Sequence, residues 1–394
     1  MSTHSMRRRR TTRMLAVTAA AAALALTLGA CSSGQPEPSS SSGGGLPAEI
    51  ELTSLLNQSG VVSLIGKDSQ AGQEFAIQQL NEEKFLGDTK LSIKFEDTKT
   101  DPQRAVQLAS AAVAAKPPVV LSPLTSAENL AIAPILQRGS VPLVIHGAMV
   151  EGLVETGDFI FRTTAPQGTY QQAAVDRLKE LGVKKMILVY TADNPGTKSW
   201  AETTMKPLLA DNGIEVVESI GIAQSQTDFS SVATKVADWG EDTAVGLAVQ
   251  GTANGTIVTQ MRDQGFKGHF VGDNNFASGT LAAAGDKAKG AFCVVAFSPE
   301  LDFPSTKAFV EAWGKAHNGE VPSAYASEGY TMVLFAVTGI KNANSVDPVE
   351  VQKGLLKASQ DGIEAGPGPI TFKDRDARVE GALIVWDGEK FVAP

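Results

Sequence analysis

Residues that could carry out covalent chemistry are few and scattered. The chain has two cysteines and four histidines at wide spacing, which does not indicate a Cys/His metal cluster. No Gly-x-Ser-x-Gly nucleophile motif occurs. The nearest phosphate-loop candidate, Gly60–Lys67, has one residue too many between its glycines, and Asp68 follows where Ser or Thr would hold Mg²⁺. The sequence therefore predicts neither an enzyme nor a bound metal or cofactor.

Cys31 is the residue whose surroundings indicate a modification. Five arginines lie between positions 7 and 13, an apolar run of about 15 residues follows from Met14 to Leu28, and the run ends in Leu28-Gly29-Ala30-Cys31. A membrane-spanning helix needs about 20 apolar residues, so 1–30 is interpreted as a signal peptide. The last four residues resemble a bacterial lipobox, in which the cysteine receives the lipid. The alternative is an ordinary secretory cleavage site that contains a cysteine.

Residues 31–48 are rich in Ser, Gly and Pro and have few apolar side chains. Such a segment cannot bury enough surface to fold, so we expect a flexible tether between the lipidated cysteine and a folded domain. The lipid anchor would place that domain on the outer face of the bacterial cytoplasmic membrane.

The composition and charge argue against nucleic-acid binding and against an internal disulfide. The formal net charge is −9 and becomes more negative once the leader arginines are removed, which argues against nucleic-acid binding. Cys293 lies in the apolar run Ala291–Val295, where a buried strand residue is the favoured interpretation and a reactive thiol the alternative. With Cys31 committed to lipid, no internal disulfide can form.

From Glu49 onward, short strand-like runs alternate with amphipathic stretches, which is typical of parallel α/β structure. Two such arrays in succession predict two doubly wound, Rossmann-like lobes. We expect three crossing strands near 162–165, 295–298 and 366–370. Lobe 1 would comprise 49–164 and 297–366, and lobe 2 would comprise 165–296 and 367–394.

Ligands of open α/β sheets bind outside the carboxyl ends of the strands, so two facing lobes predict a site between them. The loops after the strands should line it. They are 57–66, 122–126 and 146–149 in the first lobe, and 191–196, 250–253 and 272–276 in the second.

From about Glu49 to the C-terminus the chain resembles the branched-chain amino-acid-binding family. The likeness rests on sequence pieces in order: Ser59-Gly60 then Gly66, Glu96-Asp97 then Asp101-Pro102, Ser122-Pro123-Leu124-Thr125-Ser126-Ala127, and Phe161-Arg162-Thr163-Thr164. The resemblance implies a type I periplasmic-binding fold and a monomer that captures a small solute and delivers it to the permease of an ABC importer. A sensor of the same fold that reports ligand to a signalling partner is the alternative.

Ser126 and Ala127 match the family position that holds a ligand carboxylate at a helix start. Ser126 could instead be only the helix cap. Gly147 and Met149 match the loop that meets the ligand ammonium; Gly147 can offer its carbonyl, whereas Met149 has no hydroxyl and could simply pack between the lobes.

Other matched positions depart from the family. Asn274 stands where an acidic residue pairs with the ammonium, so either Asp273 takes that role or the ligand has no α-ammonium group. Ile65, Pro195 and Gln250 stand where aromatic residues cover the ligand. Gln250 could reach a polar ligand group or remain in solvent, and 193–196 is interpreted as a turn. These departures predict a small molecule other than a branched-chain amino acid.

Overall fold

The computed structural model describes residues 45–277 and 279–394. The predicted signal peptide, the lipidated Cys31 and most of the tether lie outside the described residues. Within the described ranges, no helix is both long enough and apolar enough to cross a membrane.

In the described part of the chain, fifteen strands form two sheets. They are β1 (Glu49–Leu56), β2 (Lys90–Asp97), β3 (Val120–Leu121), β4 (Leu143–Ile145), β5 (Ile160–Arg162), β6 (Lys185–Thr191), β7 (Glu215–Ile222), β8 (Thr243–Ala248), β9 (His269–Gly272), β10 (Phe292–Val295), β11 (Ile363–Ala365), β12 (Gly368–Lys373), β13 (Asp376–Arg378), β14 (Ala382–Trp386) and β15 (Phe391–Val392). The first sheet has the order β11-β12-β13-β5-β4-β3-β1-β2, and the second has β15-β14-β10-β9-β8-β6-β7. Each is a parallel sheet with antiparallel strands added at one edge.

Eleven α-helices within residues 45–277 and 279–394 connect these strands. They are α1 (Ser63–Glu82), α2 (Pro102–Ala115), α3 (Ser126–Arg138), α4 (Gln172–Glu180), α5 (Pro195–Lys198), α6 (Lys206–Asp211), α7 (Ser230–Val236), α8 (Ala253–Asp263), α9 (Pro304–Ala316), α10 (Ala324–Ala343) and α11 (Pro348–Asp361). A π-helical segment, Ser199–Met205, joins α5 to α6.

Successive strand residues pack against opposite layers, as a doubly wound sheet requires. In the first sheet, Val144 packs with α1, α10 and α11, whereas its neighbour Leu143 packs with α2 and α3. In the second sheet, Leu188 packs with α4 and α6, and Ile187 packs with α7 and α8. The predicted two-lobed α/β fold is confirmed.

Three local features of the sequence can be compared with the structure. The Asp101-Pro102 signal marks the start of α2, where the Asp101 carboxylate accepts hydrogen bonds from Gln103 N and Arg104 N. Cys293 lies on β10 and is fully buried, and burial raises the pKa of its thiol well above the ordinary value, so it is an inert strand residue. Helix α1 begins at Ser63, so the last four residues of the predicted loop 57–66 are helical.

The chain passes between the sheets in three segments: between 162 and 185, between 295 and 363, and between 378 and 382. The third crossing was expected at 366–370, and this prediction is wrong. Residues 368–378, assigned from the sequence to lobe 2, form β12 and β13 of the first sheet, because β13 pairs with β5 through Asp376 and Arg162.

Candidate ligand-binding cleft

A cavity lies where the carboxyl ends of the two parallel sheets face each other, and it is called the cleft below. It encloses about 420 Å³, part of it open to solvent. Both lobes contribute to its walls. The lining residues are Val62, Ile65, Leu124, Thr125, Ser126, Gly147, Met149, Asn194, Gly196, Thr197, Gln250, Asp273, Asn275 and Tyr325.

The start of α3 forms one wall. Thr125, not Ser126, is the cap: its Oγ1 accepts a hydrogen bond from Glu128 N at 3.3 Å and donates to Glu128 Oε2 at 2.6 Å. The interpretation of Ser126 as only a cap is therefore wrong. Ser126 and Ala127 are in the first turn of α3, where helix geometry gives the N–H groups no acceptor within the helix. The Ala127 side chain itself does not line the cleft.

Ser126 also joins α3 to the loop after β4. Its Oγ accepts hydrogen bonds from Met149 N at 3.2 Å and Val150 N at 3.3 Å. Both lone pairs of the hydroxyl are used, so what Ser126 can offer a ligand is its O–H hydrogen. In the same loop Gly147 has φ +69°, and a Cβ there would lie 2.7 Å from Leu124 Cδ2, so this position requires glycine.

Arg162 supports the loop after β4 through hydrogen bonds to its backbone. Its fully buried guanidinium pairs with Asp376 through two bonds, Nε–Oδ1 at 2.6 Å and Nη2–Oδ2 at 2.8 Å. Its Nη1 donates to the carbonyls of Ala148 at 3.2 Å and Val150 at 2.7 Å. One buried side chain thus joins β13 to β5 and also supports the backbone around Met149.

The opposite wall begins at α5. Asn194 caps this short helix, since its Oδ1 accepts hydrogen bonds from Gly196 N and Thr197 N, and Pro195 occupies the first helical position. The expected turn at 193–196 is therefore a helix start. Gly196 contacts the first wall, because a Cβ at this position would lie 2.5 Å from Ser126 Oγ.

Asp273 and Asn274 follow β9 and point to different places. Asp273 lines the cleft and accepts hydrogen bonds from Asn275 N at 3.0 Å and Asn275 Nδ2 at 2.7 Å. The Asn274 side chain does not line the cleft; its Oδ1 lies 3.4 Å from the hydroxyl of the buried Tyr170. Of the two candidates for an ammonium partner, only Asp273 faces the cavity.

The ionisable acidic and basic groups that line the cleft are of one sign. Among the described residues that line it, Asp273 is the only carboxylate, and there is no Lys, Arg or His. Burial raises the pKa of Asp273 to about 7. Behind the wall, burial raises the pKa of Glu328 to about 8, although bonds from Thr164 and the Gly147 backbone favour its ionised form. The site can therefore compensate a positive charge but has no side chain to neutralise an anion.

A family model described as periplasmic binding protein matches residues 49–389. The chain belongs to the periplasmic binding protein family. This membership confirms the predicted resemblance and the prediction that the protein is not an enzyme, and it gives the protein an extracytoplasmic location.

Curated and solved relatives agree with the family. Leu/Ile/Val-binding protein homolog 6 of Brucella abortus (strain 2308) is 26% identical over 311 residues, covering 75% of this chain and 78% of that protein. The branched-chain amino acid transporter substrate binding protein of Streptococcus pneumoniae, in complex with isoleucine, has a TM-score of 0.77 at 22% identity, over 88% of this chain and 98% of its own. A solute binding protein from R. palustris in complex with benzoate has a TM-score of 0.77 at 20% identity, over 87% and 95%.

Most site predictions for this periplasmic binding protein fall on the cleft. Of the eight predicted residues, six line it: Ile65, Ser126, Gly147, Met149, Gln250 and Asp273. Gln250 has an additional feature, since its Oε1 is buried and has no hydrogen-bond partner among the described residues. A ligand donor at this point would satisfy it.

Several lining residues were not named individually from the sequence. Asn194, Gly196 and Asn275 lie in the loops 191–196 and 272–276 that were predicted to line the site, and Asn-Pro before a helix is also a cap signal. Thr197 and Tyr325 lie outside the predicted loops and had no signal. Tyr325 reaches the cleft from the first turn of α10, which returns to the first lobe long after the loops that the strand pattern predicts.

Proposed function

We propose that this protein is the lipid-anchored solute-binding component of an ABC importer, and that it captures a small polar organic solute between its two lobes. The solute is an amino acid or a related carboxylate or amide. The names of the relatives support this class, since they include Leu/Ile/Val-binding protein homologs and a protein bound to isoleucine. The specific observation that supports it is the polarity of the cleft.

Hydrogen-bond donors and acceptors are separated across the cleft. The first wall offers donors: the Ser126 O–H and the first-turn N–H groups of α3. The second wall offers acceptors: the Asp273 carboxylate and the unpartnered Gln250 Oε1. A molecule with an acceptor group at one end and an amino or amide group at the other complements both walls. A simple anion complements only the first.

Cys31 and the tether at 31–48 support the anchor and the location. A lipidated cysteine followed by a flexible segment holds the binding domain at the outer face of the cytoplasmic membrane, within reach of a permease. The monomeric domain then closes around its ligand and docks on the permease through both lobes. A Cys31→Ser variant should leave the membrane fraction, which fractionation and mass spectrometry of the N-terminus would show.

A thermal-shift screen of amino acids, amides and small carboxylates tests the ligand class. A ligand at 100 times its Kd adds about 2.7 kcal/mol to the free energy of unfolding, which raises the melting temperature measurably. Ser126→Ala should weaken binding of the hit because it removes the only donor of that side chain. Full affinity in this variant would contradict the assignment of the first wall.

Uptake separates import from sensing. Deletion of the gene should abolish uptake of the labelled hit, and restoring the wild-type protein should recover it. Unchanged uptake after deletion would contradict the importer role and favour the sensor.

A further inference from the structure

A second cavity adjoins the cleft, and it is called the outer channel. About 640 Å³ of space lies between its walls, including open solvent. Three residues, Val62, Ile65 and Asn275, line both cavities, so the two share a wall. The channel lining is Val61, Val62, Ser63, Leu64, Ile65, Gly251, Thr252, Asn275 and Thr280.

The walls of the outer channel are largely aliphatic. Four aliphatic side chains, two just before α1 and two in its first turn, line the channel, and two of them, Val61 and Leu64, are each 57% exposed. Two polar groups on the opposite side are engaged within the protein. Thr280 Oγ1 donates to Asn275 O at 2.8 Å, and Asn275 Nδ2 donates to Asp273 Oδ2 at 2.7 Å. An apolar group in this channel would cover surface that water otherwise wets.

The channel is bounded by both lobes, as the cleft is. At the rim, a Cβ at Gly251 would lie 3.7 Å from Val61 O, so the two sides approach closely there. Among the described residues that line the two cavities, Tyr325 is the only aromatic, and it lines the inner one. No large ring therefore stands between the polar cleft and the aliphatic channel.

We propose that the ligand has two parts: a polar head held in the cleft and an unbranched aliphatic tail that runs over Val62 and Ile65 into the outer channel. This inference rests on the proposed function, since the head is the amino-acid or amide group described above. The tail distinguishes the ligand from a compact branched-chain amino acid, which would leave the channel empty.

Isothermal titration with straight-chain probes tests this inference. Three series of four to eight carbons are used: 2-aminoalkanoic acids, alkanamides and alkanoates. In a series whose head binds, affinity should rise about two- to fourfold for each of the first methylenes that enter the channel. Leu64→Gln, which changes an exposed side chain of the outer channel only, should reduce this increment per methylene.

Leu356→Gln provides the matched control, because Leu356 is another exposed helical leucine that lines neither cavity. It should keep the wild-type increment. Affinity that is flat or falls beyond four carbons overturns the tail while leaving the proposed function intact. An equal increment in wild type and Leu64→Gln overturns it too. If no member of any series binds, the proposed ligand class fails first.

Discussion

Asp273 decides what kind of charge the cleft can accept. The sequence left two alternatives at this point, because Asn274 aligns with the family's acidic residue and Asp273 precedes it. The structure places the Asp273 carboxylate on the cavity and the Asn274 amide beside Tyr170, away from it. A one-residue shift along the chain after β9 therefore keeps an acidic group facing the ligand, which supports a ligand with an ammonium group.

Ligand affinity should depend on pH through Asp273. Burial raises the pKa of this carboxyl to about 7, so it is neutral below that pH and ionised above it. Since an ammonium group pairs with the ionised form, affinity should rise up to tenfold per pH unit from about pH 5.5 to 7 and then level off. Titration calorimetry across this range measures it.

Asp273→Asn should flatten this pH profile and weaken binding most at pH 8. The exposed Asp263, which pairs with Lys287 on the surface, gives a control: Asp263→Asn should keep the wild-type profile. A flat profile in the wild-type protein would contradict the pairing of a ligand ammonium group with a carboxyl that titrates in this range.

Six of the predicted residues line the cleft. The resemblance to the branched-chain amino-acid-binding family indicated their positions, and the alternation of strands and helices located the loops that carry them. The roles of individual atoms could not be predicted in this way. The sequence allowed Ser126 to be the helix cap, but in the structure Thr125 is the cap. Ser126 instead accepts a hydrogen bond from the backbone of Met149. Such assignments depend on side-chain directions across 23 residues of sequence, which no local pattern encodes.

At the scale of elements, β13 shows what local patterning misses. It pairs with β5 in parallel, although 214 residues separate Asp376 from Arg162. The alternation of strand and helix, which located the other parallel strands, stops after α11, where short antiparallel strands follow one another. Nothing in that segment indicated which sheet it would join. The buried Arg162–Asp376 pair holds β13 against β5 in the first sheet. Arg162 also supports the loop after β4 through bonds to two of its carbonyls.

Arg162→Met should be strongly destabilising. It leaves the Asp376 carboxylate buried without its main partner, and breaking such a pair costs about 3–5 kcal/mol. Urea unfolding measures the loss. Ligand affinity should fall as well, because the Ala148 and Val150 carbonyls lose their donor. The comparison is Arg177→Met, which breaks a surface pair with Glu180 and should cost less than about 1 kcal/mol. Similar losses in the two variants would argue against the buried pair as the support of this edge.

At the scale of the whole molecule, Gly196 and Ser126 bring the two lobes into close contact across the cleft. Ser126 is held by two amide donors from the 149–150 backbone, so its hydroxyl cannot move aside without losing bonds. The missing Cβ at position 196 leaves the room that this contact needs. Glycine here serves close approach, since its φ is not in the left-handed region.

Gly196→Ala should therefore hold the cleft partly open. A methyl group 2.5 Å from Ser126 Oγ is far inside van der Waals distance, so the walls must separate or the Ser126 bonds must break. Small-angle scattering should show that wild type contracts on adding saturating ligand, whereas the variant contracts less and binds more weakly. Gly314→Ala, whose added Cβ would meet nothing closer than 3.8 Å, should behave as wild type. Equal contraction and affinity in Gly196→Ala would mean that closure does not bring these two residues together.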